Sequence, residues 1–551
     1  MTGPRDERRS PRPQASATAE PPGEPLVVAV DLGTSSLKVG VATVTGRLVW
    51  RGQHPVATRR EGRAATQDAE SWWRTICDAL RARIADGTVP ADRIVAVACG
   101  GQWASTVPVD EKGNPVGDCV LWQDHRGARH AHGLVGGPVA GYAPLTALRW
   151  VRRTGGVPGG NMPVAHMLRI EREEPELAAA TRWYLEPVDF LTMRFTGEAT
   201  ASHASMVASW LTDNRRLDRL AYDADLVRRA GVDPAKLPPL RLTGSVVGTV
   251  AEPVATDIGL PSGVAVVTGM PDLHTSTVGA GTVEDFQVHV SVSTSAWIGG
   301  PVPFKKTDVL RQIASVPGIG DGSYLIANSH DTGGQCLQWL RDNLLAPDDA
   351  LAGPGSPGRD VTWSFDDLTA LAAGAPPGSG GVLFTPWLLG EKSPVEDRHA
   401  RAGFHNLSLA TTRAHLVRAV MEGVAYNDRW LHEAVERFAG RRLDPVRFVG
   451  GGALSDLWCQ IHADVLDRTV ERVEAPVDAN LRGAALLAGV ALGLVRRSEV
   501  RELVPVDRTF TPEPGGRAVY ARLYAEFPGL YSSQKAMFAR LNRRPRRGGD
   551  R

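Results

Sequence analysis

One carboxylate and a run of small hydroxyl residues stand out in the segment VVAVDLGTSSLKVG, residues 27–40. Asp31 ends an apolar stretch, and Gly33, Thr34 and Ser35 follow it at once. A turn of small residues lets backbone N–H groups approach a phosphate closely, and hydroxyl groups add donors. Asp31 would repel a phosphate directly, so its position makes sense if Mg²⁺ lies between them, held through water. The alternative is an ordinary hairpin turn with a solvated aspartate.

A second segment, VHVSVSTSAWIGG at residues 288–300, repeats this pattern later in the chain. Thr294 and Ser295 align with Thr34 and Ser35, and valines alternate before both turns. Each pattern predicts a strand that turns through Thr-Ser into a second strand. Because the repeat is domain-sized, we expect two related domains whose turns clamp a polyphosphate from both sides of a cleft. Neither turn is a Walker A loop.

Strand-like and helix-like segments alternate along the chain, which predicts an α/β protein with mixed sheets. Six segments with β-branched residues and bounding glycines predict strands, namely LVVAVDLG, LKVGVATV, RIVAVACGG, VAVVTGM, VHVSVST and VRFVGGGA. Helical periodicity predicts helices over residues 69–87 and 410–438, the second with Thr411 or Thr412 as its N-cap. Ser455 is a candidate N-cap for the helix that follows it.

Length and composition limit the classes of protein. With 551 residues the chain is longer than one core usually covers, so we expect two domains. A net charge of +1 gives no global field toward nucleic acid or membrane, and we expect neither as a partner. The chain has no apolar run of membrane-spanning length and no signal-peptide pattern. The five cysteines are scattered without a CxxC pair, so we expect a cytoplasmic protein without disulfides or a zinc site.

Both ends of the chain are polar. Residues 1–24 are rich in Pro, Arg, Ala and Glu and cannot bury enough apolar surface to offset the entropy of ordering. We expect a disordered tail there. Residues 537–551 include a run of arginines that could touch nucleic acid, but charge runs at termini are usually solvated, so we expect a second tail.

An ordered series of motifs carries a resemblance to a known family. In chain order the motifs are DLGTSSLKVG, GGQWAS, LWQDHRG, TGMPDLHTSTVGAG, STSAW, LFTPWLLGEKSP, RAVMEGVAYN, FVGGGALSDLWCQIHADVL and RGAALLAG. Single motifs are loose, but the set, from about residue 26 to 535, resembles the FGGY family of carbohydrate kinases, and most of all its xylulokinase-type members. The resemblance implies two ribonuclease H-like domains of the actin-like ATPase fold, with ATP and sugar in the cleft between them. We place these domains at residues 25–284 and 285–536.

The resemblance also implies roles for the residues in these motifs. Asp272 would contact the substrate and act as the catalytic base that takes the proton of the acceptor hydroxyl. Asp31 would orient Mg²⁺ through water. The residues implied to line the phosphates and nucleoside of ATP are Gly33, Thr34, Ser35, Thr294, Ser295, Gly333, Gly334, Gly451, Gly452 and Asp456. The residues implied to contact the sugar are Gln102, Trp103, Asp124 and Arg126.

These assignments have plainer alternatives. Asp272 could be a turn residue, and the glycines at 450–452 could serve a turn or close packing. The remaining alternatives are core packing for Trp103 or Trp122 and a loop-holding ion pair between Asp124 and Arg126.

Three positions depart from the family pattern outside the sugar-facing segments. Ser293 stands where glycine is usual, so phosphate binding should weaken if this position needs a positive φ. Lys392 stands where arginine is favoured, and a point charge cannot make a bidentate contact. Asn406 replaces a preferred glycine, which is a mild change because asparagine tolerates left-handed geometry.

The sugar-facing segments depart further. Trp103 and Ala104 match neither the Gln-Met-His-Gly segment typical of xylulokinases nor the Arg-Glu pair of glycerol kinases. Leu273 stands where an amide residue often follows the catalytic aspartate. We therefore expect an ATP-dependent kinase of a small sugar, with a ketopentose such as D-xylulose as the leading acceptor. Ribulose, a pentitol or gluconate are the alternatives, and glycerol is disfavoured.

Two other classes of protein stay open. Asp31, Thr34 and Asp272 argue against a catalytically silent regulator that binds a sugar or nucleotide. The motifs LWQDHRG and LLGEKSP argue against an actin- or chaperone-type ATPase. Family members are often dimers, so a homodimer is possible, although nothing in the sequence marks an interface. Because the two phosphate turns belong to separate domains, we expect the cleft to close over bound sugar and exclude water.

Overall fold

The computed structural model describes residues 23–139, 141–320, 322–345 and 363–542. Seven strands form its first large sheet: β1 (Leu26–Leu32), β2 (Ser36–Thr43), β3 (Leu48–Pro55), β4 (Ile94–Gly101), β5 (Val246–Thr249), β6 (Ala265–Val267) and β7 (Met270–Pro271). The spatial order is β5-β6-β4-β1-β2-β3, with β7 also paired to β4. The strands β1, β6 and β7 run parallel to β4, whereas β1, β2 and β3 form an antiparallel meander.

Five strands form the second large sheet: β8 (Val288–Val292), β9 (Ala296–Gly299), β10 (Val446–Val449), β11 (Val470–Val473) and β12 (Val506–Phe510). β8 is antiparallel to β9 and parallel to β10, just as β1 is antiparallel to β2 and parallel to β4. Both sheets therefore contain the same hairpin with a parallel strand beside it. This arrangement confirms the α/β fold predicted from the alternating segments and the two related units predicted from the Thr-Ser repeat.

The other elements are mostly helices around the two sheets. Two helices carry labels because they bear on the site, α1 (Asp272–Gly279) and α2 (Ala479–Ala491). The other α-helices are Ala69–Ala85, Ala128–Val135, Pro144–Thr154, Pro163–Glu173, Pro175–Ala180, Pro187–Thr196, His203–Met206, Ala224–Ala230, Glu252–Ile258, Gln335–Leu340, Phe365–Ala373, Arg413–Ala439, Asp456–Leu466, Val500–Leu503, Pro514–Tyr524 and Phe527–Asn542. The other strands are Arg59–Glu61, Ala64–Gln67, Val107–Val109, Cys119–Val120, Gly136–Val139, Trp183–Leu185, Ala201–Ser202, Leu240–Arg241, Pro301–Val302, Thr307–Asp308, Ile313–Pro317, Tyr324–Ala327, Leu383–Thr385 and Gly403–His405.

The helix starts follow the capping residues in the sequence. The helix Arg413–Ala439 begins directly after Thr412, one of its two candidate caps. The helix Asp456–Leu466 begins after Ser455, whose hydroxyl oxygen accepts the N–H of Trp458 at 3.2 Å. Both helices therefore begin where the sequence predicted. The Ser455 hydroxyl satisfies a backbone donor that the helix itself leaves open, whereas the Thr412 hydroxyl bonds to the His415 ring at 2.8 Å.

The helices α1 and α2 pack against each other and join the two halves of the chain. A Cβ added at Gly279 would lie 1.7 Å from the carbonyl oxygen of Ala479, and one at Gly483 would lie 1.8 Å from that of Thr275. The crossing is therefore closer than any side chain allows. The alanine-rich helix α2 also packs on β1 and β4 in one apolar core, so it anchors the later half of the chain on the first sheet.

The chain ends differ in part from the expectation. Residues 1–22 of the expected disordered tail at 1–24 lie outside the described residues. At the other end the boundary at 536 is wrong, because the helix Phe527–Asn542 continues past it. Phe538 is buried in the core of the second half, and the Asn542 amide donates to the carbonyl of His399 at 3.0 Å. Apolar contact thus extends the last helix by six residues into the segment expected to be a tail.

Two expectations from composition concern cysteine and membranes. All five cysteines are buried and free. Across the described ranges, none of the helices combines the length and the apolar character needed to cross a bilayer.

Candidate active site

Parallel strands that end at one edge of the first sheet bring three candidate residues together. β1 and β7 both pair in parallel with β4, and their last residues lie opposite its final glycines. Asp31 lies in β1 next to its end, Trp103 comes just after β4, and Asp272 follows β7 directly. The carboxyl edge of a parallel sheet is where α/β proteins bind ligands. The fold therefore gathers these three side chains at a position suited to a site.

Asp272 is the first residue of α1 and is partly exposed. Its Oδ1 accepts the N–H of Leu273 at 2.8 Å. The surrounding protein atoms raise the pKa of Asp272 to about 7, with a further contribution from the negative charge of Asp31. A carboxyl group with a pKa near neutrality is suited to take up a proton during a reaction.

Asp31 is buried and held by two polar side chains that the sequence analysis did not single out. Lys38 lies opposite it in the β1–β2 hairpin and places Nζ 2.9 Å from Oδ2. Asn480 of α2 donates to Oδ1 at 3.2 Å and accepts the Thr275 hydroxyl at 3.2 Å. The carboxylate of Asp31 raises the pKa of Lys38, so this lysine stays protonated. The hairpin register could have identified Lys38, whereas Asn480 comes from a distant part of the chain.

A hydrogen-bond network fixes the first turn. The Thr34 hydroxyl donates to Gln102 Oε1 at 3.3 Å and accepts the indole N–H of Trp122 at 3.1 Å. Gln67 donates to the Thr34 carbonyl at 2.7 Å and accepts the amide of Gln102 at 3.0 Å. Gln102 is only 3% exposed. This network leaves Ser35 exposed and ties the turn to the segment expected to contact sugar.

The second turn is bound to the backbone at Gly333 and Gly334. The Gly333 N–H donates to the Thr294 carbonyl at 2.9 Å and the Gly334 N–H to the Ser293 carbonyl at 2.6 Å. A Cβ on Gly333 would lie 2.7 Å from the Ser295 carbonyl oxygen, and one on Gly334 would lie 2.6 Å from that of Ser293. Ser293 does not adopt a positive φ, so its Cβ causes no strain here. Ser293 and Thr294 are exposed, and the turn therefore presents its hydroxyls outward.

The glycine run at 450–452 serves more than one purpose. Gly450 has φ +89°, and a Cβ there would lie 2.5 Å from the Val292 carbonyl oxygen. A Cβ on Gly452 would lie 2.9 Å from the Val292 side chain, whereas Gly451 faces open space. Thus Gly450 and Gly452 allow close packing on β8, and Gly451 leaves room for a ligand. Asp456 pairs with Arg472 and Arg508 and is half exposed.

Trp103 and Ala104 form the loop after β4. The indole N–H of Trp103 donates to the Ser205 carbonyl at 2.7 Å, and the ring is half-buried. Ala104 has φ +61°, a left-handed conformation that is uncommon for residues with a Cβ. The buried carboxyl of Glu186 accepts the next N–H, that of Ser105, at 3.1 Å, and burial raises the pKa of Glu186 well above its usual range. Sequence reasoning missed Glu186, which has no motif around it.

Asp124 and Arg126 form an ion pair with 2.7 Å between Arg126 Nη2 and Asp124 Oδ2. Asp124 is fully buried and also accepts the N–H groups of Ala65 and Arg126 at 3.0 and 2.9 Å. Burial opposes its charge, but these hydrogen bonds outweigh that effect and lower the pKa of Asp124. The loop-holding alternative is thus the arrangement present, and only Arg126 is accessible to a ligand.

A second charged network lies under the turn at Gly333 and Gly334. His330 is buried between Glu391 and Asp428, with ring nitrogens 3.2 and 3.4 Å from their oxygens. Burial disfavours the imidazolium, but the two carboxylates outweigh it and raise the pKa of His330 to about 10. Lys392 adjoins this network, and burial lowers its pKa. His330 therefore carries a fixed positive charge that holds the segment leading into the turn.

Comparisons with known proteins agree with this geometry. The N-terminal domain model of the FGGY family of carbohydrate kinases matches residues 26–279, and its C-terminal domain model matches residues 294–492. A xylulose kinase of Streptomyces rubiginosus is 30% identical over 85% of this chain and 89% of its own length. A gluconokinase of Bacillus subtilis is 25% identical over 92% and 95% of the two chains. The crystal structure of a xylulose kinase from Rhodospirillum rubrum superposes with a TM-score of 0.77 at 28% identity, covering 93% of this chain and 99% of that one.

The family models together match most of the chain, and the relatives are matched over nearly their full length. The order of the motifs, the paired sheets and the aspartate at the start of α1 all agree with that match. The chain therefore belongs to the FGGY family of carbohydrate kinases, ATP-dependent phosphotransferases that act on an alcohol group of a small sugar.

Proposed function

We propose that this kinase phosphorylates a ketopentose, with D-xylulose as the first candidate. The support is the set of relatives named xylulose kinase, one of them at 30% identity over 85% of this chain. Gluconate is the second candidate, because relatives named gluconokinase match a similar share of the chain. The observation that carries the catalytic part of the proposal is Asp272, a carboxyl with a pKa of about 7 at the carboxyl edge of the sheet.

In this proposal Asp272 takes the proton of the acceptor hydroxyl as the oxygen attacks the γ-phosphorus of ATP. The bond from the γ-phosphorus to the bridging oxygen breaks, and ADP leaves with the electron pair. Positioning and charge stabilisation supply most of the acceleration in such transfers, and the base completes the proton balance. A pKa near neutrality suits this role, because the carboxylate is present at neutral pH and still accepts a proton.

We further propose that the two turns hold the phosphates. Gly33, Thr34 and Ser35 would face them from the first half of the chain, and Ser295 with Thr294 from the second. The Gly333–Gly334 backbone would support the second turn, and Gly451 would leave room for the nucleoside. Asp456 would lie at the margin of the nucleotide site, because two arginines already pair with it.

Mg²⁺ fits the carboxylates in this proposal. Asp31 is already bonded to Lys38 and Asn480, and within the ranges described no group of three His, Cys, Asp or Glu side chains would cage a metal. Mg²⁺ usually keeps several waters and binds through one or two carboxylates together with substrate phosphates. Asp31 would hold such an ion through water, where the ion would neutralise charge on the phosphates. Lys38 would stay paired with that carboxylate on the side opposite Asn480.

The expected sugar contacts divide into two groups under this proposal. Trp103 and Arg126 remain accessible and would meet the acceptor. Gln102 and Asp124 are buried and use their polar atoms within the protein, so they would hold the loops that carry the first two.

The test is ADP release from Mg-ATP with a panel of ketopentoses, pentitols, gluconate, glycerol and ketohexoses. One acceptor with high kcat/KM whose turnover is lost in Asp272→Ala supports the proposal and names the substrate. Turnover that survives Asp272→Ala contradicts the assignment of the base. If no acceptor exceeds the variant's background, calorimetric titration with ATP separates a silent nucleotide-binding protein from a kinase of a sugar outside the panel.

A further inference from the structure

A cavity of about 460 Å³ lies on the first half of the chain. Four arginines line it, namely Arg59, Arg60, Arg126 and Arg169, together with three carboxylates. Of the residues assigned above to the phosphates, the base or the acceptor, only Arg126 is part of this lining. The cavity is therefore a candidate for a second binding site, and it is called the arginine cavity below.

One wall of the arginine cavity is the strand Ala64–Gln67. Successive side chains of a strand point to opposite faces, and Thr66 lines the cavity. Gln67 points to the other face, where its amide donates to the Thr34 carbonyl at 2.7 Å. There it also accepts the amide of Gln102 at 3.0 Å. The arginine cavity thus lies behind the strand that holds the first turn.

One positive and one negative group of the cavity have no partner of opposite charge. The Nη2 of Arg60 donates to the side-chain oxygen of Gln123, a neutral amide, and Arg60 makes no ion pair with any described residue. Glu61 makes none within the described part of the chain either. Arg59, by contrast, is paired with Asp118 at 2.7 Å. A ligand that carries both an anionic group and hydroxyl donors would satisfy Arg60 and Glu61 together.

Two deeper arginines of the cavity keep unused N–H donors. Arg169 is 4% exposed, and its Nη1 is paired with Glu174. Its Nε is buried and makes no hydrogen bond with any described residue, which costs free energy unless an acceptor approaches. Arg126 uses Nε and Nη2 on the buried Asp124, so its Nη1 is left to donate. An anion in the cavity would accept these donors.

We propose that the arginine cavity binds the phosphoryl group of a small phosphorylated polyol or sugar, and that this ligand tightens the binding of ATP. A guanidinium group presents its N–H donors in a planar fork that matches two phosphate oxygens. Arg60, Arg126 and Arg169 supply these forks. Glu61 and Thr66 bond to the hydroxyl groups of the polyol, so the lining suits an ester better than free phosphate.

The effect on ATP follows from the two faces of the strand Ala64–Gln67. A ligand that bridges Arg60 and Arg169 restricts the motion of this strand. Gln67 then stays on the Thr34 carbonyl, and less entropy is lost when ATP orders the first turn. Coupling between two sites is commonly about five-fold or more, and it is reciprocal. The phosphate ester should therefore also bind more tightly when nucleotide is present.

The first test is calorimetric titration of the full chain with D-ribose 5-phosphate and, separately, with inorganic phosphate. The nucleotide site is filled beforehand with Mg²⁺ and a non-hydrolysable ATP analogue, so that neither probe binds there. The ester should bind more tightly than inorganic phosphate. Equal affinity of the two probes would overturn the role of the polyol, and the absence of saturable binding of either probe would overturn the proposal.

Two variants locate the bound ligand. Arg60→Gln removes an exposed guanidinium and should weaken the binding of the ester by about ten-fold or more, because a charge-assisted hydrogen bond is lost. Arg169→Lys keeps the buried charge without the fork and should weaken it as well. Arg74→Gln is the matched control, since Arg74 is also exposed but does not line the cavity, and it should leave the affinity unchanged. An unchanged affinity in Arg60→Gln would overturn this location.

The coupling is measured by titrating ATP without an acceptor, with and without the ester. ATP should bind about five-fold more tightly or better when the ester is present, and this gain should disappear in Arg60→Gln. An ATP affinity that the ester lowers or leaves unchanged would overturn the coupling. None of these titrations needs turnover, so a chain that phosphorylates no ketopentose would contradict the proposed function and leave these results intact.

Discussion

The raised pKa of Asp272 leads to a prediction about stability as well as catalysis. In the unfolded chain an aspartate titrates near 3.9, whereas burial and the charge of Asp31 raise the pKa of Asp272 to about 7. Below pH 4 the carboxyl is protonated in both states and its titration has no effect. As the pH rises from 4 to 7, the unfolded chain loses this proton first, so the folded protein loses stability. By about pH 8 both states are ionised and the loss is complete.

The perturbation that exposes this effect is Asp272→Asn, which keeps the shape of the side chain and removes its titration. A difference of about three pKa units corresponds to roughly 4 kcal/mol in favour of the variant at pH 8. Because the carboxylate is partly exposed, solvent screening makes this figure an upper limit. The same linkage gives a change of roughly 2.5 kcal/mol between pH 5 and pH 8.

The assay is urea unfolding of both proteins at pH 5, 6, 7 and 8, without nucleotide or Mg²⁺, with tryptophan fluorescence as the signal. The free energy of unfolding of Asp272→Asn minus that of the wild type should grow from pH 5 to 7 and level off by pH 8. Asp366→Asn, at an exposed position in the helix Phe365–Ala373, is the matched control and should show a constant difference. A constant difference for Asp272→Asn as well would refute the reasoning. The variant should also lose turnover while retaining ATP binding.

Three further predictions concern residues that hold the site. Gly450→Ala should lower the free energy of unfolding by about 1–3 kcal/mol, because its φ of +89° is strained for alanine and its Cβ would meet the Val292 carbonyl. Gly451 faces open space, so Gly451→Ala should leave unfolding in urea unchanged while raising the KM for ATP. Equal effects of the two variants would contradict the separate roles of Gly450 in packing and Gly451 in leaving room for a ligand. His330→Gln should cost about 3–5 kcal/mol at pH 7, because it removes the positive charge that is buried between Glu391 and Asp428. The contribution of the His330 charge to stability is fully present below pH 6.5 and is lost as the pH rises through about 10. The difference between the urea midpoints of the wild type and His330→Gln should therefore narrow in alkaline buffer. A difference that widens would refute the charge assignment. Glu186→Gln should keep kcat/KM within a few-fold, because an amide oxygen still accepts the Ser105 N–H. Glu186→Leu should lower the free energy of unfolding by about 1–3 kcal/mol and raise the acceptor KM. Identical behaviour of the two variants would show that Glu186 does not support the loop.

The elements that make strands and turns could be predicted because their signals are local. Alternating valines before a Thr-Ser turn occur in both halves of the chain, and both became the hairpins β1–β2 and β8–β9. The end of the second domain was placed too early, at residue 536, because charge near the terminus suggested a tail. The burial of Phe538 against the core overrides that local composition. Tertiary contact, which the sequence does not display, decides such boundaries.

The candidate site shows the same division between local and distant signals. Asp272 and the two turns could be proposed from residue type and order, because phosphate chemistry needs carboxylates and small hydroxyl residues. The partners that tune them could not. Asn480 reaches Asp31 from 449 positions away, and Glu186 reaches Ser105 from a helix start with no motif. Only the packing of α2 on the first sheet brings Asn480 to that carboxylate.

Acceptor specificity was hardest to predict for a related reason. The residues beside Asp272 are tryptophan and leucine, which in a sequence cannot be distinguished from ordinary core residues. In the fold they do pack as core, since Trp103 and Trp297 rest on the cluster around Leu273. Yet each ring keeps an accessible part, Trp103 after β4 and Trp297 after the second turn. The same contacts that join the two halves of the chain therefore also hold the Trp103 and Trp297 rings. A substitution there should change stability and sugar preference together, and a ratio of kcat/KM between two acceptors separates the two effects.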